Sequence, residues 1–168
     1  MLIKTYNENK LLNSFYFLKK RGKIPLFFSI FIIDLVFHLA VSYIITIYNP
    51  EILDVFDENM SLTEIFIFTV IIGPIIETFL FQYLIIEVLF FFKRIKINTI
   101  IIISSLSFSL THYYNFIYIL VTFLSGIIYA SYYLYLKEEK QRFPFLYICL
   151  FHSLYNFSAF ILDDILGL

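Results

Sequence analysis

The sequence predicts an all-α bundle of about five membrane-crossing helices, and composition, charge placement and the lengths of the apolar segments carry that expectation. Of 168 residues, 61% are hydrophobic, 21% aromatic and only 15% charged. The mean hydropathy is +0.86. A soluble domain of this size cannot enclose so much apolar surface in one core. The formal net charge of −1 is uninformative, but its distribution is not. All 12 Lys and Arg residues fall within 4–23, 93–96 and 137–142. Between the first two clusters, 50–64 carries Glu51, Asp54, Asp57, Glu58 and Glu64 with no basic residue, and Asp163 and Asp164 lie near the end. Basic connections are expected on the cytoplasmic side, which puts the amino terminus inside, the carboxyl terminus outside and the number of crossings at an odd value.

Residues 1–24 read as a cytoplasmic amphipathic segment, with Leu11, Leu12, Phe15 and Leu18 on one side and lysines nearby, suited to the membrane interface. Residues 25–168 read as one membrane domain. Its first crossing, 25–48, is too long for a cleaved signal peptide and lacks a small-residue cleavage site. On it, Asp34 and His38 share a face at i, i+4, either as a self-satisfied packing pair or as the lining of a cavity. The second apolar stretch, 65–92, exceeds the roughly 20 residues a crossing needs. Proline cannot donate inside a helix but suits a first turn, so Gly73-Pro74 is expected to break this stretch. Residues 61–72 would then form a separate interfacial helix, with the crossing starting near Pro74. The remaining segments are a short one at 99–113, then 116–136 and 143–162. Cys149 is alone and reads as a small core hydrophobe. Nothing resembles a basic groove-reading surface, so nucleic acid is not an expected partner.

Ionisable residues inside such segments need a reason, because each costs roughly 2.5–3.5 kcal/mol at the centre of a membrane helix. Glu77, His112 and His152 lie in three different apolar stretches. Counting about 1.5 Å per residue from the inner helix ends puts Glu77 at about 23 Å, His112 at about 21 Å, Asn156 at about 20 Å and His152 at about 14 Å. These groups are expected in one slab of the outer half of the bilayer. Thr78 with Gln82, Phe108 with His112, and His152 with Asn156 are i, i+4 pairs, each sharing a helix face. Interhelical hydrogen bonding is the plain alternative for Gln82 and Asn156. Glu87 is expected to serve structure, within reach of Lys93 or Arg94.

These residues carry a resemblance. Pro74-Ile75-Ile76-Glu77-Thr78-Phe79-Leu80-Phe81-Gln82 resembles the EExxxR motif of the CPBP family, which comprises CAAX proteases and bacteriocin-processing or self-immunity membrane proteins. Phe108-Ser109-Leu110-Thr111-His112 is similar to that family's FxxxH, and His152-Ser153-Leu154-Tyr155-Asn156 to its HxxxN. The resemblance spans about 65–162. It implies a metalloendopeptidase-like or glutamate-type protease of the bacterial plasma membrane, acting on a membrane-associated peptide or membrane-anchored protein. It further implies Glu77 as general base on water, His112 and His152 polarising the carbonyl or holding the oxyanion, and Asn156 orienting His152 or donating to the oxyanion. Phe108 would support the site. Glu77, His112 and His152 would also make an adequate zinc set, and the family chemistry leaves a divalent metal open.

Two positions depart from the family pattern: Thr78 replaces the second glutamate and Gln82 the arginine. Losing both members of an ion pair leaves a neutral pair, whereas losing one would strand a buried charge. The pair Thr78 and Gln82 could still hydrogen-bond, a compensated variant that spares Glu77. Other membrane protease signatures are lacking: there is no HExxH, no GxGD, and Ser125-Gly126 has no glycine two positions ahead to make GxSG. The competing readings are a non-catalytic immunity or peptide-binding protein and, with less support from a chain lacking an inverted repeat, a small transporter. The outward-opening site implied by the charge pattern points away from prenylated cytosolic tails as substrates.

Overall fold

The computed structural model describes residues 15, 22–48, 60–92 and 94–166. They form five helices: α1 Lys23–Tyr48, α2 Leu62–Phe91, α3 Ile97–Ser109, α4 Phe116–Glu138 and α5 Pro144–Phe160, the last running on into a wider turn at Ile161–Ile165. No strand occurs among the described residues. α1, α2 and α4 are long and apolar enough to cross a membrane. α3, with 13 residues, is shorter than a full crossing, and α5, with 17 before its wider last turns, is at the short end of one. Of the amino-terminal segment Phe15 and residues 22–24 are described, the Phe15 ring edge-on to Tyr132 and Tyr135; Leu11, Leu12 and Leu18 lie outside the described residues.

α1 turns Leu26, Phe27, Ile30 and Asp34 inward and leaves Ile32, Ile33, Val36 and Tyr43 exposed. That is the arrangement lipid favours, with apolar side chains outward and the polar one enclosed.

The expected break in the second apolar stretch does not occur. α2 is continuous from a capping box, in which the Ser61 hydroxyl accepts from the Glu64 amide and the Glu64 carboxylate accepts from the Ser61 amide. Instead of a break at Gly73-Pro74, the helix widens to π pitch over Phe66–Ile72 and again over Thr78–Leu84. The Gly73 amide donates to the Phe68 carbonyl, five residues back. In that register the donor for the Thr69 carbonyl would be Pro74, which has no N–H. Asn156 of α5 takes its place, donating its side-chain amide to Thr69 O at 2.7 Å. The helix therefore passes through proline because another helix satisfies the carbonyl that proline leaves open. Gly73 is fixed by the same geometry, since a Cβ there would lie 2.9 Å from the Phe68 oxygen.

α3 packs on α4 through small residues. Ser104, Ser105 and Ser109 are buried on α3, and a Cβ on Gly126 of α4 would come within 2.9 Å of the Ser105 Cα. Such close backbone approach is a common basis of helix association in membranes. Ser104 also donates to the Phe81 carbonyl in the second π segment, tying α3 to α2. α3 ends at Ser109, and Asn115 caps the start of α4 by accepting from the Tyr118 amide at 2.8 Å. The C-terminal half of α4, from Tyr129 to Leu136, is buried throughout, which makes α4 the core helix. Near its end Lys137 pairs with Glu87 at 2.6 Å, and the Tyr133 hydroxyl donates to the same carboxylate. Glu87 thus serves structure as expected, with Lys137 as its partner, while Lys93 lies outside the described residues.

Candidate active site

Glu77, His112 and His152 come from three separate parts of the chain and meet. The Glu77 Oε2 lies 3.7 Å from His112 Nε2 and 3.6 Å from His152 Nε2. Glu77 sits in the regular turn Gly73–Glu77, between the two π segments of α2. The widened turns place it in a short α-helical island braced by Asn156 on one side and Ser104 on the other. Single π turns within helices recur at functional sites. His152 comes from the middle of α5 and is buried. It was expected about two turns below Glu77, yet it touches it.

His112 does not lie on a helix face. It follows the end of α3, in a turn closed by its amide donating to the Ser109 carbonyl at 3.0 Å. Its Nδ1 lies 3.0 Å from the Phe108 carbonyl, an acceptor, so the hydrogen sits on Nδ1 and Nε2 faces Glu77. Phe108 is buried between the imidazoles, with ring centroids 4.7 Å from His112 and 5.6 Å from His152. It sets their spacing. Tyr114, in the following turn, has its phenol pushed above the usual range by burial and then by the negative charge of Glu77.

Separations of 3.6 and 3.7 Å exceed a hydrogen bond. They leave room for a water bonded at about 2.8 Å to the carboxylate and to one imidazole at once. Among the described residues no group of three or more His, Cys, Asp or Glu is arranged to hold a metal ion.

Thr78 and Gln82 do not pair with each other. The Thr78 hydroxyl lies 3.5 Å from His152 Nδ1, at the limit of a hydrogen bond, and both polar atoms of the buried Gln82 amide are without a partner. Asn156 has a further part beyond the one expected of it. One of its two amide hydrogens goes to Thr69 O, which makes it a brace for the helix that carries Glu77.

A cleft of about 460 Å³ adjoins the histidines. His112, His152, Asn156 and Phe108 line it, whereas Glu77 is not part of the lining. The lining also includes His38, Ser125, Tyr129 and Tyr155. Of the two readings open for Asp34 and His38, both hold in part. The pair is 3.8 Å apart and bridged by Ser125, and His38 faces the cleft. Sequence reading missed Thr122, Ser125 and Tyr129, although their spacing of three and four puts three hydroxyls on one face of an otherwise apolar helix. Tyr155 lay inside the HxxxN motif without a role.

A membrane-embedded, all-α bundle that brings a carboxylate and two imidazoles together beside a cleft defines the class. A family model described as type II CAAX prenyl endopeptidase Rce1-like matches residues 59–158, and the chain belongs to that family. The match includes Glu77, His112, His152 and Asn156 but not α1. No curated protein and no solved structure matches. The family is one of peptidases, which agrees at that level with the hydrolase expected from the three motifs.

Proposed function

We propose that the chain is an intramembrane endopeptidase in which Glu77 activates a water to attack a peptide bond in a membrane-associated peptide or membrane-anchored protein. The observation that carries this reading is the approach of two imidazole Nε2 atoms to one Glu77 oxygen. Glu77 takes a proton from the water as its oxygen bonds to the carbonyl carbon. The carbonyl oxygen becomes an oxyanion, and an imidazole N–H placed at it lowers the barrier. His152 suits that part, because a Thr78 hydroxyl donating to Nδ1 leaves the hydrogen on Nε2. Collapse of the tetrahedral intermediate breaks the C–N bond, and the proton held by Glu77 passes to the leaving amine. Each atom of the water is then accounted for.

A second reading has its own support. Thr78 stands where the family pattern has a glutamate, and the Gln82 amide is buried without partners. A chain that holds a peptide in the cleft without cutting it, as an immunity protein would, is compatible with both. Cleavage of a panel of membrane peptides by the purified chain in liposomes separates the two. The protease reading expects cutting that Glu77→Gln abolishes with fold retained, and the binding reading expects protection or binding that the same variant leaves intact.

A further inference from the structure

The hydroxyl cluster beside the histidines has a consistent direction of hydrogen bonding. Ser125 donates to Asp34 Oδ1 at 3.1 Å. Its oxygen therefore accepts from His38 Nε2, 2.5 Å away, and His38 carries its hydrogen on that nitrogen. The Tyr155 hydroxyl then meets His38 Nδ1 at 2.7 Å as donor. Thr122 donates to the Tyr118 carbonyl at 2.8 Å. Ser125, Thr122 and Tyr129 all line the cleft, and the hydrogens of Ser125 and Thr122 point away from it. What they offer a ligand is oxygen lone pairs.

Behind them stands a carboxylate. Asp34 is fully buried, no Lys or Arg among the described residues pairs with it, and its Oδ2 has no hydrogen-bond partner. An acceptor surface backed by an uncompensated buried carboxylate favours a cation with N–H donors, because the low surrounding dielectric strengthens the attraction. An isoprenoid chain would instead displace water from these hydroxyls and return no hydrogen bonds. His38 and Asp34 lie on α1, outside the region that the family model matches.

We propose that the Asp34–His38–Ser125–Tyr129 cluster is a subsite that takes an ammonium group of the peptide substrate, either a lysine side chain or a free amino terminus. The inference rests on the reading that this cleft receives the substrate.

The test uses the full chain in lipid nanodiscs with Glu77→Gln, which stops turnover and removes the other carboxylate near the cleft. Three short peptides of one sequence are compared by calorimetric binding: one with a single lysine and an acetylated amino terminus, one with a free amino terminus and acetyl-lysine, and one acetylated at both places. At least one ammonium-bearing peptide should bind about tenfold more tightly than the doubly acetylated one, as a charged hydrogen bond warrants. Which one does so identifies the source of the ammonium. Asp34→Asn, which can still accept from Ser125, should remove the preference, and so should Ser125→Ala if the first variant does not fold. Equal binding of all three peptides, or a preference retained in either folded variant, overturns the proposal. A chain that discriminates among these peptides yet cuts none would sink the protease reading and leave the subsite standing.

Discussion

Replacing Asn156 with alanine removes the 2.7 Å bond to the Thr69 carbonyl, and the π register offers that carbonyl only Pro74 in exchange. An acceptor left unsatisfied when buried costs about 1–3 kcal/mol. Measured interhelical bonds in membranes average about 0.6 kcal/mol and reach about 1.7. Asn156 is half-buried, so a loss of about 0.6–1.7 kcal/mol is expected, plus the packing lost with the side chain. The two contributions separate in a double-mutant cycle. Pro74→Ala supplies the missing N–H five residues beyond Thr69, so in that background Asn156→Ala should lose the packing contribution alone. Equilibrium unfolding of the four proteins by SDS in mixed micelles measures the coupling, expected at about 0.6 kcal/mol or more. Additivity within about 0.3 kcal/mol would mean that Asn156 does not stand in for the proline donor.

Other consequences can be read with the same assays. Gly126→Ala brings a methyl within 2.9 Å of the Ser105 Cα and 3.2 Å of Phe108, so stability should fall by about 1–3 kcal/mol and cleavage should fall with it, because Phe108 spaces the imidazoles. Gln82→Leu removes a buried amide without partners and should raise stability by about 1 kcal/mol or more; a loss would reveal a bond this geometry lacks. Lys137→Ala breaks a partly exposed ion pair and should cost under about 1 kcal/mol while leaving any cleavage rate unchanged. Dialysis against a metal chelator should leave cleavage intact if Glu77 acts on water without a metal, whereas a loss that added zinc restores would assign Glu77, His112 and His152 as a metal set.

The meeting of Glu77, His112 and His152 was legible because charges are expensive in apolar helices, so three of them in one chain are expected to find one another. Their heights were less so. The count that set His152 two turns below Glu77 assumed regular, parallel helices with level ends, whereas α2 changes pitch twice and His112 lies beyond the end of its helix. Gly73-Pro74 carried a strong local signal for a break, and local reasoning had no access to the donor that cancels it, because that donor sits on α5. The Ser125 cluster stayed hidden for a related reason. A missing glycine excluded one catalytic motif, but the meaning of Ser125 comes from Asp34 and His38, far away in sequence. Helix existence and the inward faces followed from hydropathy. Partners between helices did not.

The central claim is that Glu77 acts on water, and substitution of its carboxylate by an amide tests it most directly. Glu77→Gln keeps size and polarity but cannot take a proton. Rates of peptide cleavage by the purified chain in liposomes, with unfolding measured alongside, should fall by about 10²–10⁴-fold while stability stays near that of the parent. Cleavage at the parent rate by the folded variant would contradict the account.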